Sequence, residues 1–275
     1  MSTETEWAEP ISPIPWTMRR WSGKQPGLFG LHGFTGAGLD FAPLARALPY
    51  AITAPDLPGH AGAPIPARET DFLGLADELA RCIRKPMFVL GYSMGGRIAL
   101  ALALRHPEKV LGLILVGASP GIEDSGERDA RRVQDEVLAR RVRTLGVEGF
   151  LDEWSQLPII ATQEQIKGPA REAMAGQRRL HTADGLAWSL LHMGTGVMPS
   201  LWETIDSLVP PTLAIAGSTD EKFRDIAREM TLRNARIEAA VPPDAGHCAH
   251  LENPAAVGAL IEGFIERHEP RGSTS

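Results

Sequence analysis

Ser93 lies at the centre of Gly91-Tyr92-Ser93-Met94-Gly95, and this G-x-S-x-G spacing has a mechanical reading. Where a strand reverses into a helix at a single serine, side chains two positions before and after it would collide, so small residues belong there. The turn also lifts the hydroxyl to a strand tip, above a helix N-terminus that favours developing negative charge. The bare pattern is common in a glycine-rich chain, so its flanks decide. Met87 to Leu90 is a short apolar run suited to a buried strand. From Ile98 the chain reads Ile-Ala-Leu-Ala-Leu-Ala-Leu-Arg, a helix-forming stretch that stops before Pro107. Strand, serine turn and helix together predict a nucleophile elbow.

A lone serine is a poor nucleophile or base. It needs a histidine to accept its proton, and the histidine needs a carboxylate to fix its tautomer. Of the eight histidines, His247 in Ala245-Gly246-His247 occupies the late position that the chain order Ser…Asp…His requires. His250 is the nearest competitor. His106 and His268 fall at helix ends, His181 and His192 in a long helical stretch, and His32 and His60 in loops near the elbow. For the acid, Asp220 follows a strand predicted at Thr212 to Ala216 and precedes His247 by 27 positions (247 − 220), room for one helix and one strand. Asp244 and Asp124 are alternatives. Two backbone N–H groups must face the developing oxyanion. Met94, just after the serine, supplies one, and Phe34 in His32-Gly33-Phe34-Thr35-Gly36 supplies the other. No His-x-x-x-His pair, cysteine cluster, G-x-G-x-x-G or Walker pattern follows a strand, so neither a metal nor an organic cofactor is expected.

The elements that must position these groups alternate. Strands are predicted at Trp16 to Trp21 (an edge strand), Leu28 to Leu31, Ala51 to Ala54, Met87 to Leu90, Val110 to Val116, Thr212 to Ala216 and Arg236 to Val241. Helices are predicted at Phe41 to Leu48, Phe72 to Ile83, Lys222 to Leu232 and Pro254 to about Arg267. This rhythm means βαβ units and an α/β fold with a mostly parallel sheet, whose reactive groups gather at the carboxyl ends of the strands. Residues 119–209 break the rhythm with helices and no strand signal. They read as an inserted helical lid, since functionless connections of that length are uncommon. The expected organisation is a core of residues 1–118 and 210–275 around a lid of residues 119–209. Residues 1–12 and the last few residues read as loose tails.

A chain of 275 residues suits one large α/β domain. The formal net charge of −6 argues against a nucleic-acid partner, and no basic run suggests an anionic membrane. Two cysteines, Cys82 and Cys248, make no disulfide framework and suit a reducing compartment. Met1-Ser-Thr-Glu-Thr-Glu6 lacks the basic start and apolar core of a signal peptide, and no apolar run could span a bilayer. A soluble cytoplasmic protein is expected, as a monomer or small homo-oligomer.

The elbow, the oxyanion turn, Asp220 and His247 together resemble the α/β-hydrolase fold family over nearly the whole chain. A closer set narrows the resemblance: Gly91 to Arg97, Ala118-Ser-Pro-Gly-Ile122 with Glu127-Arg128, Met193-Gly-Thr-Gly196 with Pro199-Ser-Leu-Trp202, Asp220-Glu-Lys-Phe223, and Ala245 to His250. As a set these are similar to the 2-succinyl-6-hydroxy-2,4-cyclohexadiene-1-carboxylate synthases of menaquinone biosynthesis. That resemblance implies pyruvate elimination from a cyclohexene polycarboxylate, with no cofactor. It also implies that Ser93, activated by His247 and Asp220, removes a proton α to a ketone. By motif position it carries substrate-binding roles onto Tyr92, Arg97, Arg131, Trp154 and Arg179, the last with its register open between Arg178 and Arg179.

The residues themselves bear on a substrate with several carboxylates. Overall charge is unfavourable, and residues 119–209 hold 10 basic against 14 acidic residues, so attraction must be local. Arg97, one turn beyond Ser93, can face the pocket as a bidentate carboxylate partner. Each lid arginine could equally sit on a solvated helix face. The rival readings are a carboxylesterase or C–C bond hydrolase on the same triad, and a non-catalytic binding module. An intact triad on a strained turn speaks against the module.

Overall fold

The computed structural model describes residues 5–9 and 14–270. Among them, eight strands form one sheet: β1 (Thr5–Glu9), β2 (Trp16–Trp21), β3 (Lys24–Leu31), β4 (Tyr50–Pro55), β5 (Met87–Tyr92), β6 (Val110–Val116), β7 (Thr212–Ile215) and β8 (Ile237–Ala240). Their spatial order is β1-β2-β4-β3-β5-β6-β7-β8. β2 pairs antiparallel with both β1 and β4, and every pairing from β4 to β8 is parallel. Ten helices accompany the sheet in the described residues: α1 (Ala42–Ala47), α2 (Phe72–Cys82), α3 (Met94–Arg105), α4 (Ser125–Ser155), α5 (Pro158–Ala161), α6 (Pro169–Arg178), α7 (Ala183–Met193), α8 (Glu221–Arg233), α9 (Ala249–Glu252) and α10 (Pro254–His268).

The central strands are apolar on both faces because both faces are covered. On β5, Val89 points to one core while Phe88 and Leu90 point to the other. On β6, Leu113 and Leu115 alternate in the same way with Ile114 and Val116. The first core receives Leu75 and Leu79 of α2 and Ile98 to Ala103 of α3. The second receives Leu44 of α1 and Ile261, Phe264 and Ile265 of α10. Each buried Leu, Ile or Phe side chain among them contributes roughly 1.5–3 kcal/mol of transfer free energy. The two layers clamp the sheet between them, so the strand tips are fixed points.

Two expectations about the N-terminal region are corrected. Residues 5–9 are not a tail but the edge strand, paired with Arg20 to Trp16 of β2, which places Trp16–Trp21 one strand further in. Thr5-Glu-Trp-Ala-Glu9 has little apolar alternation, and backbone hydrogen bonding to β2 decides its state instead. The remaining residues expected as tails, 1–4, 10–12 and 271–275, lie outside the described residues.

The connection between β6 and β7 is helical, with no strand among its residues. Helix α4 is broken at Gly146, whose φ of 69° is left-handed backbone that glycine adopts without a Cβ penalty. Its two halves fold against α7 through Ala139, Val142, Phe150, Leu186, Ala187 and Leu190, a small apolar core of their own. Further along, Met193, Met198, Trp202 and Ile205 join the first core, so the span is anchored at its C-terminal end.

Candidate active site

The serine turn has the strained form its spacing requires. Ser93 has φ 49° and ψ −110° at the junction of β5 and α3. Its N–H donates to the Val116 carbonyl at 2.9 Å, tying the turn to the neighbouring strand. A Cβ on Gly95 would lie 2.2 Å from the Leu31 carbonyl oxygen, and one on Gly91 2.5 Å from the Gly96 Cα. No other residue fits at either position.

The three polar groups converge from separate strand tips. The Nδ1–H of His247 donates to Asp220 Oδ2 at 2.7 Å, which leaves Nε2 to accept from the Ser93 hydroxyl at 3.0 Å. Asp220 opens α8 without capping it, because its carboxylate is turned to the imidazole instead. The other candidate acids are engaged elsewhere or exposed. Asp124 caps α4, accepting the Glu127 N–H at 2.8 Å, and Asp244 lies at an exposed positive-φ position. His250 is fully buried between Tyr92 and Phe41, with ring centroids 4.6 and 5.6 Å away. Neither of its ring nitrogens has a hydrogen-bond partner among the described residues. Burial lowers its pKa to about 3, so it is a neutral ring.

Phe34 and Met94 line one cavity with Ser93 and His247. Met94 is the first residue of α3, where backbone N–H groups have no intrahelical acceptor. Phe34 lies in a tight turn closed by Gly36 N–H donating to the Gly33 carbonyl at 3.0 Å. His32 braces that turn: Nδ1–H donates to the Gly33 carbonyl at 2.8 Å, and Nε2 accepts the Leu57 N–H at 2.8 Å. Burial lowers the pKa of His32 to about 3, so this tautomer persists at neutral pH.

The cavity has a volume of about 970 Å³. Arg97 and Arg131 both line it, and Trp154 forms part of its wall beside Phe34, with ring centroids 5.2 Å apart. The Arg97 guanidinium donates to the Met193 carbonyl at 3.1 Å. Burial first, and then the neighbouring Arg131, lower its pKa to about 10, so it remains a cation near neutrality. Arg131 is held by Asp135 at 2.8 Å, and Asp135 also accepts the Gly196 N–H at 3.0 Å. Lys222 is a third cation on the lining, whereas Glu123, Asp124 and Glu127 supply acidic groups on the same wall.

Tyr92 and Arg179 sit elsewhere. Tyr92 lies behind His247, 5.4 Å between ring centroids, with its phenol meeting the Cys248 thiol and Gln163, and it is not on the cavity lining. Arg179 is exposed at the end of α6. Arg178 is the residue that turns inward, donating to Gln163 Oε1 at 2.7 Å. Adjacent helical residues face directions about 100° apart, so Arg178 packs inward where Arg179 does not, and neither is on the cavity lining. The thiol of Cys248 is buried, which pushes its pKa up and leaves it inert.

Three supporting residues escaped the sequence reading. Asp135 looks like one acid among many on α4. Glu252 accepts from both the Gly246 N–H and the Thr162 hydroxyl, the latter at 2.8 Å, linking the loop of His247 to the helical span. His181 bonds to the Thr35 carbonyl, in the turn that carries Phe34. The contacts that reveal them, Gly196 for Asp135, Thr162 for Glu252 and Thr35 for His181, are remote along the chain, so no local pattern marks them. No group of three or more His, Cys, Asp or Glu residues suited to a metal occurs among the described residues.

A strained serine elbow at a strand tip, with a histidine and an aspartate following in that chain order, defines a class. The chain belongs to the alpha/beta hydrolase family, which matches residues 28–260. Within that class several of its sequence relatives share one name. It is 34% identical over 244 residues to the 2-succinyl-6-hydroxy-2,4-cyclohexadiene-1-carboxylate synthase of Enterobacter sp. (strain 638), covering 87% of this chain and 92% of that one. It is 32% identical to the synthase of the same name from Citrobacter koseri, covering 86% and 93%. Among solved structures it resembles MenH from S. aureus, with a TM-score of 0.85 and 28% identity over 92% of this chain and 99% of that one.

Proposed function

We propose that this chain is a carbon–oxygen lyase. It eliminates pyruvate from 2-succinyl-5-enolpyruvyl-6-hydroxy-3-cyclohexene-1-carboxylate, leaving 2-succinyl-6-hydroxy-2,4-cyclohexadiene-1-carboxylate. The observation that carries the reading is the pairing of Arg97 and Arg131 on the same cavity as Ser93 and His247. A pocket for an apolar acyl chain has no use for two guanidinium groups, whereas a polycarboxylate needs them. The names of the similar chains point the same way.

In this reading His247 takes the Ser93 hydroxyl proton, and the serine oxygen takes the substrate proton α to the succinyl ketone. The electron pair of that C–H bond becomes an enolate, whose oxygen is met by the N–H groups of Phe34 and Met94. The enolate electrons then pass through the ring double bond and expel the enolpyruvyl oxygen, breaking the C–O bond. The proton on His247 is available to the departing enol, which becomes pyruvate. Asp220 keeps the imidazole oriented and stabilises its protonated form. No acyl-enzyme forms, and the chain supplies every group from its own residues.

Residues 119–209 act as the lid in this account. Arg131 and Trp154 from α4, Ile159 from α5 and Leu190 from α7 roof the cavity. Trp154 Nε1 is buried without a hydrogen-bond partner among the described residues, a donor open to a bound oxygen. The setting we assign is the cytoplasm, as a monomer or small homo-oligomer. In support, no helix among the described residues is long and apolar enough to cross a membrane. Neither cysteine is in a disulfide there.

The test is direct. Supplied with the cyclohexene substrate, the enzyme releases pyruvate, and it turns over a short p-nitrophenyl ester slowly. Rapid ester hydrolysis without pyruvate would favour the carboxylesterase or C–C hydrolase reading of the same triad instead.

A further inference from the structure

His181 belongs to the helical span between β6 and β7, yet both of its ring nitrogens bond to backbone outside that span. Nδ1 accepts the Ala61 N–H at 2.8 Å, so the proton resides on Nε2, which donates to the Thr35 carbonyl at 3.0 Å. Thr35 immediately follows Phe34 and has φ 61°. A β-branched residue at positive φ is an outlier that persists only where its surroundings over-determine it. Within the turn, the Gly33 carbonyl is already held by Gly36 N–H and His32. The Thr35 carbonyl is held by His181 alone among the hydrogen bonds of the described residues. His60 fills the space between, its ring edge-on to His32, Phe34 and His181 with centroids 5.0 to 5.7 Å apart.

We propose that His181 is a positioning residue for the oxyanion turn, reaching in from the helical span to fix the strained Phe34–Thr35 segment so that the Phe34 N–H faces the reacting oxygen. The proposal rests on the assignment of Phe34 as an oxyanion donor, and it holds for an enolate and a tetrahedral intermediate alike. Burial supports the arrangement by lowering the pKa of His181 to about 4, which keeps the donor–acceptor tautomer at working pH. Without this bond the Thr35 peptide is free to relax towards ordinary backbone angles and rotate the preceding N–H away. A donor displaced by about 1 Å loses much of its effect on rate while leaving the arginine contacts to substrate untouched.

Three variants test it: His181→Leu, which removes both bonds, His181→Gln, whose carboxamide offers one acceptor and one donor, and the shorter His181→Asn. Each is assayed for pyruvate release and for p-nitrophenyl acetate hydrolysis, with melting temperature measured alongside. We expect His181→Leu to lose roughly tenfold to a hundredfold in kcat on both substrates with KM within about twofold. His181→Gln should recover most of that loss, and His181→Asn less. If the leucine variant does not fold, the glutamine–asparagine comparison decides. The proposal is overturned if kcat of a folded His181→Leu stays within about twofold of the parent, if the loss lies in KM, or if Gln does no better than Leu or Asn at equal melting temperature. Should the parent release no pyruvate, the lyase reading fails while the ester assay still judges His181.

Discussion

Asp135 and Arg131 form an ion pair one turn apart on α4, with the arginine on the cavity wall. The carboxylate is 1% exposed and accepts the Arg131 Nε–H at 2.8 Å, while its other oxygen accepts the Gly196 N–H. Asp135 also offsets the repulsion between Arg131 and Arg97. Replacing Asp135 with Asn keeps the shape and removes the charge. The expected result is a KM for the anionic substrate raised several-fold or more. A stability loss of about 1–3 kcal/mol in urea unfolding should accompany it, since the carboxamide nitrogen cannot accept and one of the two N–H donors that Asp135 holds loses its partner. Unchanged KM would mean that Arg131 is held by packing alone.

Arg97→Ala should impair the polycarboxylate reaction and spare simple ester hydrolysis. Its guanidinium lies on the cavity one turn beyond Ser93, bound to the Met193 carbonyl. Losing a charge-assisted contact to carboxylate costs roughly 1.5–3 kcal/mol, or about tenfold to a hundredfold in kcat/KM. Lysine should restore only part of this, because an ammonium cannot make the two parallel bonds of a guanidinium. Equal losses on both substrates would identify Arg97 as structural.

The choice of acid is open to a paired substitution. Asp220→Asn should lower kcat by about 10⁴, the scale seen when the histidine of such a triad is left in the wrong tautomer. Asp244→Asn, at an exposed position whose backbone asparagine tolerates, should leave kcat within about twofold. Steady-state pyruvate release measures both, and the reverse ranking would overturn the 2.7 Å contact as the functional one.

Stability should fall as the solution is acidified below about pH 6.5. His32 and His250 are held neutral to about 3, and His181 to about 4, whereas an unfolded histidine takes up its proton near 6.5. Between those values the unfolded chain binds more protons, so acid favours unfolding. Asp40 works against this: burial raises it to about 6, so the folded state takes its proton first between about 6 and 3.8. One carboxylate does not offset three histidines. His250→Leu removes one contributor from an apolar, aromatic setting. Urea unfolding at pH 5 and pH 8 should therefore show a smaller pH difference for the variant than for the parent, and an identical difference would refute this origin.

Much of the fold could be read locally. Apolar runs of strand length alternating with amphipathic helices predicted the parallel sheet, because a strand covered on both faces must be apolar throughout, as Val110–Val116 is. The N-terminal strand was missed, since Thr5–Glu9 owes its state to pairing with β2. The register of Arg178 and Arg179 was equally closed to inspection, because a helix end in a polar stretch does not announce which face packs.

The sequence alone determined the groups whose chemistry is local: a serine between glycines where only a tight turn fits, and a histidine and an aspartate at the tips of later strands. Their chain order and spacing follow from covalent connectivity, which a linear reading sees. Only the tertiary structure decided what supports them. Asp135 on Gly196, Glu252 on Thr162 and His181 on Thr35 are hydrogen bonds between residues far apart along the chain, brought together by the packing of separate segments. Such contacts depend on distances between elements, and the order of residues along a chain does not encode those distances one position at a time.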